Sequence, residues 1–262
     1  MVKKRLIPKL LISHRTIGRR VRPVLVTTQG YSHVVEVGDA VSQARIYEAQ
    51  LADELVVLNI DGTPIGGDEV MQGLIERLAS ETFMPLAVGG GVQSADDFGQ
   101  LLERGADKVV INTAALDDPV IITLAASRYG AQCVVLSIDF RMQGGRAMVM
   151  KNRAANPTGR TALDWAREAV ERGAGEIILT DASRDGMGQG LNIEIGRAVA
   201  RAVPVPVILS GGCGLAGHFT AGFLEAGVEG VAAGTFFCLR DQNPMQTRAH
   251  IRNAGVPIRA ET

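Results

Sequence analysis

The sequence predicts a (β/α)8 barrel built from two similar halves. Three observations predict it: eight apolar runs of strand length, helically spaced stretches between them, and a second half that repeats the first at an offset of 122 residues. The runs cover 6–12, 55–60, 84–88, 108–111, 133–138, 176–180, 205–209 and 230–233. They are continuous rather than alternating, as strands buried on both faces of a helix-covered parallel sheet must be. Between them lie Ala40, Ala44, Tyr47, Leu51; Phe98, Leu101, Leu102; Leu163, Ala166, Ala169, Val170; and Phe219, Phe223, Leu224. Eight such units argue for a barrel over an open doubly wound sheet.

The repeat is explicit in its glycines. Val88-Gly89-Gly90-Gly91 answers to Ser210-Gly211-Gly212-Cys213, Gly105-Ala106-Asp107-Lys108-Val109 to Gly227-Val228-Glu229-Gly230-Val231, and Asn112-Thr113 to Gly234-Thr235. The same offset carries Glu54-Leu55-Val56-Val57 onto Glu176-Ile177-Ile178-Leu179 and, read without a gap, sets Gly89 on Gly211. Two matched glycine turns suit a ligand with a phosphate at each end.

A length of 262 residues fits one such barrel, and no Ser/Gly/Pro-rich linker or charge run divides the chain, so 1–262 reads as one domain. The net charge of −1 gives no global pull toward nucleic acid or a membrane surface. Three cysteines (Cys133, Cys213, Cys238) lie in apolar, strand-like runs with no CxxC pair, and read as reduced and buried. No metal or cofactor is expected. The opening Met1-Val2-Lys3-Lys4-Arg5 precedes a short apolar run broken by Pro8 and Lys9, which reads as neither a signal peptide nor a span; a cytoplasmic location is expected.

Chemistry belongs at the carboxyl ends of the strands. Gly-rich turns there present backbone N–H groups to a phosphate. One such site draws on Gly90, Gly91, Asn112 and Thr113. The other draws on Gly211, Gly212, Ala233 and Gly234, with Asp185-Gly186 on the neighbouring turn. Asp139 ends the fifth run and projects into the mouth, where it either moves protons or caps the next turn. Asp61 and Asp181 are further strand-end acids. Two long loops, 13–38 and 141–160, occupy equivalent places in the halves. The first carries Arg15, Arg19, Arg20 and Arg22, either as a solvated loop or as a lid attracting an anion. At the opposite end Arg5, Glu54, Lys108 and Glu176 begin runs one, two, four and six, and form either a self-satisfied charged plug or a gate.

From Lys4 to Gly255 the chain resembles the cyclase subunit of imidazole glycerol phosphate synthase. The marks are Lys4-Arg5-Leu6-Ile7-Pro8, Asp53-Glu54-Leu55, Val88-Gly89-Gly90-Gly91, Gly105 to Ala115, Ile138-Asp139, Arg172-Gly173-Ala174-Gly175-Glu176-Ile177, Arg184-Asp185-Gly186 and Ser210-Gly211-Gly212. The resemblance implies a (β/α)8 barrel with a bisphosphate across its mouth, paired as a heterodimer with a glutaminase on the far face whose ammonia crosses the barrel. It implies that Arg5, Glu54, Lys108 and Glu176 form the ammonia gate and that Asp107 lies at the glutaminase interface.

One departure dominates. The family uses two aspartates as general acid and base; the second is Asp139, and the first falls on Leu11. Such groups contribute about 10²–10⁴-fold each. Asn59 also replaces a strand-two aspartate, Val110 a serine and Gly234 a phosphate-binding serine. On this pattern the chain looks like the paralogue associated with sugar amidation in surface-polysaccharide (lipopolysaccharide, O-antigen) synthesis. Two alternatives stand beside it. One is an authentic histidine-biosynthesis cyclase, with His14 or Asp61 as second proton carrier. The other is a non-catalytic ammonia conduit that activates its glutaminase.

Overall fold

The computed structural model describes residues 3–240 and 242–258. Eight parallel strands close on themselves: β1 (Arg5–Ile17), β4 (Leu55–Asn59), β5 (Leu86–Gly89), β6 (Lys108–Ile111), β7 (Val134–Gln143), β10 (Glu176–Asp181), β11 (Val207–Ser210) and β12 (Gly230–Ala233). Pairing of β1 with β12 and of β7 with β10 completes the circle. Helices α1 (Ala40–Ala49), α2 (Glu69–Glu81), α3 (Ala95–Glu103), α4 (Thr113–Asp117), α5 (Val120–Tyr129), α6 (Ala162–Glu171), α7 (Ile193–Ala202), α8 (Ala216–Ala221), α9 (Thr235–Leu239) and α10 (Pro244–Asn253) complete the units. Among the described residues no helix is long and apolar enough to cross a membrane.

Local chemistry sets the helix starts. Asp39, Asp68, Thr161, Asn192 and Asn243 each accept a first-turn backbone N–H, and Ser94 with Asp97 forms a capping box on α3. The helices bury apolar stripes against the outer faces of the strands. On α6 the stripe centres on Trp165, with Ala162, Ala166 and Ala169, rather than on Leu163. Leu224, expected in the stripe of the last half, is 58% exposed. Inside the barrel, Ile7, Val56, Ala87, Val110, Val135, Ile178, Ile208 and Ala232 form one cluster, a residue from each strand. That cluster is a packed core across the axis.

Three expectations need correction. The stretches 13–38 and 141–160 are largely strand. β1 and β7 run on past the rim, and β2 (Arg20–Gln29), β3 (His33–Gly38), β8 (Arg146–Lys151) and β9 (Asn156–Thr161) fold back as antiparallel arms. None of the three cysteines lies in a barrel strand. Cys133 ends a short turn before β7, Cys213 follows β11 and Cys238 sits on α9; all are free, and only Cys213 is buried.

The repeat is also one residue out at its glycines. Leu55 pairs with Leu86 as Ile177 pairs with Val207, which equates Gly90 with Gly211 and Gly91 with Gly212. By β6 and β12 the original offset has returned, Ala87 pairing with Lys108 as Ile208 with Gly230. The extra residue enters where α8 continues into a π-helical turn, Gly222–Ala226, closed by Gly227 N–H donating to the Gly222 carbonyl. A π-turn absorbs one inserted residue without breaking the helix.

Trp165, the chain's single tryptophan, is fully buried under α6, with the Arg160 guanidinium 4.8 Å from its ring centre. Trp165→Ala is expected to cost about 3–5 kcal/mol, read as a lower urea midpoint by circular dichroism. A loss under about 1 kcal/mol would mean that α6 is not held by this residue.

Candidate functional site

A cavity of about 730 Å³ opens at the carboxyl rim. Its walls include Lys9 and Leu11 of β1, Gly90 and Gly91 after β5, Asn112 and Thr113 after β6, Asp139 of β7 and Asp185 after β10. The first predicted phosphate set therefore lies on one wall. Beside it, a narrow pocket of about 10 Å³ is lined by Asp185, Gly186, Gly211, Gly212, Ala233 and Gly234, the second set. Asp185 is common to both spaces. Glycine is required at these turns. A Cβ on Gly90 would strike the Asn59 carbonyl and one on Gly211 the Asp181 backbone, and both residues have positive φ, near 89° and 87°.

Asp139 is held from two sides. Tyr31 O–H donates to Oδ1 at 2.7 Å and Asn112 Nδ2 donates to Oδ2 at 2.8 Å. Burial pushes the carboxyl above its ordinary value; the Tyr31 hydrogen bond, the Lys9 charge and Asn112 oppose this, while Asp185 adds to it. Burial also raises the Tyr31 hydroxyl, with the charges of Asp139 and Asp185 behind it. Among the described residues Asn112 Oδ1 is buried without a hydrogen-bond partner, an acceptor open to a ligand donor.

Tyr31 was not singled out in the sequence. It sits at φ 68° after Gly30 at φ 58°, in a tight turn closed by Ser32 N–H donating to the Gln29 carbonyl. A bulky residue in that region stores local strain. The turn rests on the site: Gly30 N–H donates to the Asp185 carbonyl, and Arg141 spans the carbonyls of Gly30 and Ala154. Tyr31 packs on Met150, Ala154 and Ala182, so the two arms meet over the cavity. Of the basic arm, Arg15 is paired with Glu36 at 2.6 Å.

Leu11 is 8% exposed and faces the cavity. The two side chains considered as a replacement acid are engaged elsewhere. His14 Nδ1 lies 2.9 Å from Asp61 and Nε2 3.0 Å from Asp68, and neither His14 nor Asp61 lines the cavity. Burial works to raise Asp61, but hydrogen bonds from the His14 amide, the Ser13 hydroxyl and the His14 ring hold it below the usual carboxylate range. Asp181 is likewise committed, accepting from Asn192 at 2.9 Å.

At the amino end the four predicted charges come together. Arg5 bonds Glu54 at 2.6 Å and also Glu176; Lys108 bonds Glu54 at 2.9 Å and Glu176 at 2.7 Å. The result is a closed ring with each ion touching two of opposite sign. Asp107 is exposed on this face, and its Oδ2 accepts the Leu86 N–H at 2.8 Å. Asp53 with Leu6 and Glu229 with Val207 repeat that clasp, which gives Asp107 a structural task as well. Among the described residues no cluster of metal-ligating side chains occurs.

These features define a class: a (β/α)8 barrel with paired glycine turns around one carboxylate and an ion ring at the other end. Residues 5–242 match the family described as "Histidine biosynthesis protein", and the chain belongs to it. It is 48% identical, over the whole of both chains, to a protein of Prochlorococcus marinus provisionally named imidazole glycerol phosphate synthase subunit hisF2. It is 44% identical to imidazole glycerol phosphate synthase subunit HisF of Myxococcus xanthus, over 87% of this chain and 89% of that one. With the HisF subunit of Gluconacetobacter diazotrophicus it shares 40% over 99% and 97%.

Lys108→Met leaves two buried carboxylates to Arg5 alone and is expected to cost about 3 kcal/mol in urea unfolding. A cost near zero would show that the ring adds no net stability. The raised Asp139 carboxyl gives a pH signature. Its contribution to stability is present below the ordinary carboxylate value and is lost as pH rises through the raised folded-state value. Compared with Asp139→Asn, the wild type should therefore lose relative stability as pH rises above the ordinary carboxylate value of 3.8. A constant gap between their urea midpoints across that range would contradict the shift.

Proposed function

We propose that this chain is a HisF-type ammonia-using barrel subunit that works with a glutaminase. The observation that carries the reading is one cavity at the carboxyl rim, bordered by two glycine turns, with Asp139 on its wall. In this reading Gly90, Gly91, Asn112 and Thr113 hold one phosphate, and Asp185, Gly186, Gly211, Gly212, Ala233 and Gly234 surround the other. Asp139, its proton affinity raised by burial, exchanges a proton with the ligand between them. The unpartnered Asn112 Oδ1 accepts a ligand hydroxyl or amine beside it. Ammonia enters past Arg5, Glu54, Lys108 and Glu176, and the glutaminase docks on the face that carries Asp107.

The names of the relatives favour the cyclase of imidazole glycerol phosphate synthase as the particular reaction. A paralogue that feeds sugar amidation in surface-polysaccharide synthesis draws no support from those names. It rests on Leu11, an aliphatic wall where a cyclase needs its second carboxylate, with His14 and Asp61 bound to each other instead of facing the ligand. The two readings part at the chemistry and share the ammonia path.

The test supplies purified chain with the ribulosyl bisphosphate intermediate of the histidine pathway and excess ammonium at mildly alkaline pH. Formation of imidazole glycerol phosphate supports the cyclase. Binding without turnover supports the paralogue, and Leu11→Asp should then raise turnover, by up to about 10²–10⁴-fold if the acid alone is missing. Failure to bind the intermediate would sink both.

A further inference from the structure

Lys9 stands where a charge is costly. It lies on β1 two residues before Leu11, so both side chains point into the barrel mouth, and its side chain is 4% exposed. Among the described residues the ammonium has two hydrogen-bond partners, both distant: Asp185 Oδ1 at 3.3 Å and Ser210 Oγ at 3.3 Å. A lysine that is charged has three N–H donors, and well-made charge-assisted bonds run shorter, at about 2.7–2.9 Å. Asp185 itself is shared, its other oxygen accepting from the Thr28 hydroxyl at 3.0 Å. Lys9 reaches both spaces: it lines the large cavity, and its partners Asp185 and Ser210 line the narrow glycine pocket. Its Cε would lie 3.9 Å from a Cβ built on Gly234, so the alkyl stem runs along the pocket's edge.

The narrow pocket is small in this arrangement. Its volume of about 10 Å³ admits one water-sized group. Thr28, on the large cavity, borders it: its carbonyl lies against Gly186 and accepts from the Thr235 hydroxyl at 3.4 Å, and its own hydroxyl donates to Asp185. The Asp185 carboxylate thus occupies Lys9 on the border of a pocket whose walls include Gly186, Gly211, Gly212 and Gly234.

We infer that Lys9 is the cationic contact for a phosphate monoester in the glycine pocket, and that Asp185 holds the place of that phosphate on Lys9 until the ligand arrives. The inference rests on the two-phosphate reading above and adds its charge selectivity. Glycine N–H groups alone donate to any oxyanion; a buried ammonium favours the most highly charged one. On entry the phosphate takes over Lys9, and Asp185 keeps its bond from Thr28. Asp185 competes with the ligand for Lys9 and repels it, so removing its charge strengthens binding.

Calorimetric titration of the full chain with ribose 5-phosphate, and with ribose as the uncharged control, tests this. Lys9→Met should weaken ribose 5-phosphate binding by about tenfold or more, and Lys9→Arg should stay near wild type. Asp185→Asn should tighten it, and should tighten it less on the Lys9→Met background, where only the direct repulsion is left to remove. Circular dichroism checks that each variant is folded; should Lys9→Met fail to fold, the sign of the Asp185→Asn effect decides. A folded Lys9→Met with unchanged affinity, or an Asp185→Asn that binds more weakly than wild type, overturns the role of Lys9 while phosphate binding stands. A wild type that binds ribose 5-phosphate no better than ribose overturns both.

Discussion

Closure of the sheet by the parallel pairing of β7 with β10 is the constraint on which the molecule depends. With the circle complete, all eight strands point one way, and every strand-to-helix turn falls on one rim. Lys9, Asp139 and the two glycine turns lie far apart in the chain and meet only because the barrel has no open edge. Closure also forces the interior to be filled. The cluster from Ile7 to Ala232 fills it with aliphatic groups, separating the ion ring of the amino end from the cavity of the carboxyl end. Four buried charges are tolerable there because each meets two of the opposite sign.

The second organising element is the pair of arms. Each half of the barrel sends its first strand past the rim and folds a hairpin back across the mouth. The arms touch through Tyr31 and Arg141, and Tyr31 also holds Asp139. A residue in a left-handed turn therefore ties the cover of the site to its carboxylate. The second arm carries similar strain, with Asn152, Arg153 and Ala154 all at positive φ near 55°. Both strained turns sit over the cavity, where the surrounding contacts impose them.

Much of the fold was legible because burial on both faces leaves an unmistakable pattern. Lys108–Ile111 and Gly230–Ala233 were read to the residue. The arms were missed, since β2 and β8 carry arginines and small turns that look like loop composition when read without their partners. The glycine register slipped because a π-turn has no signature in composition. Tyr31 gave no signal: its importance comes from a turn geometry and from an acid more than a hundred residues away. Lys9 was passed over as a break in an apolar run, when it is the charge buried in the mouth.

By itself the sequence determined the strand and helix repeat and the glycines without which the turns cannot form. These are local facts, written in residue type and spacing. The tertiary structure alone decided which side chains meet: His14 with Asp61 and Asp68, Lys9 with Asp185, Tyr31 with Asp139. Such pairings depend on the register with which distant strands close the barrel, and no local pattern encodes a register that eight strands must satisfy together.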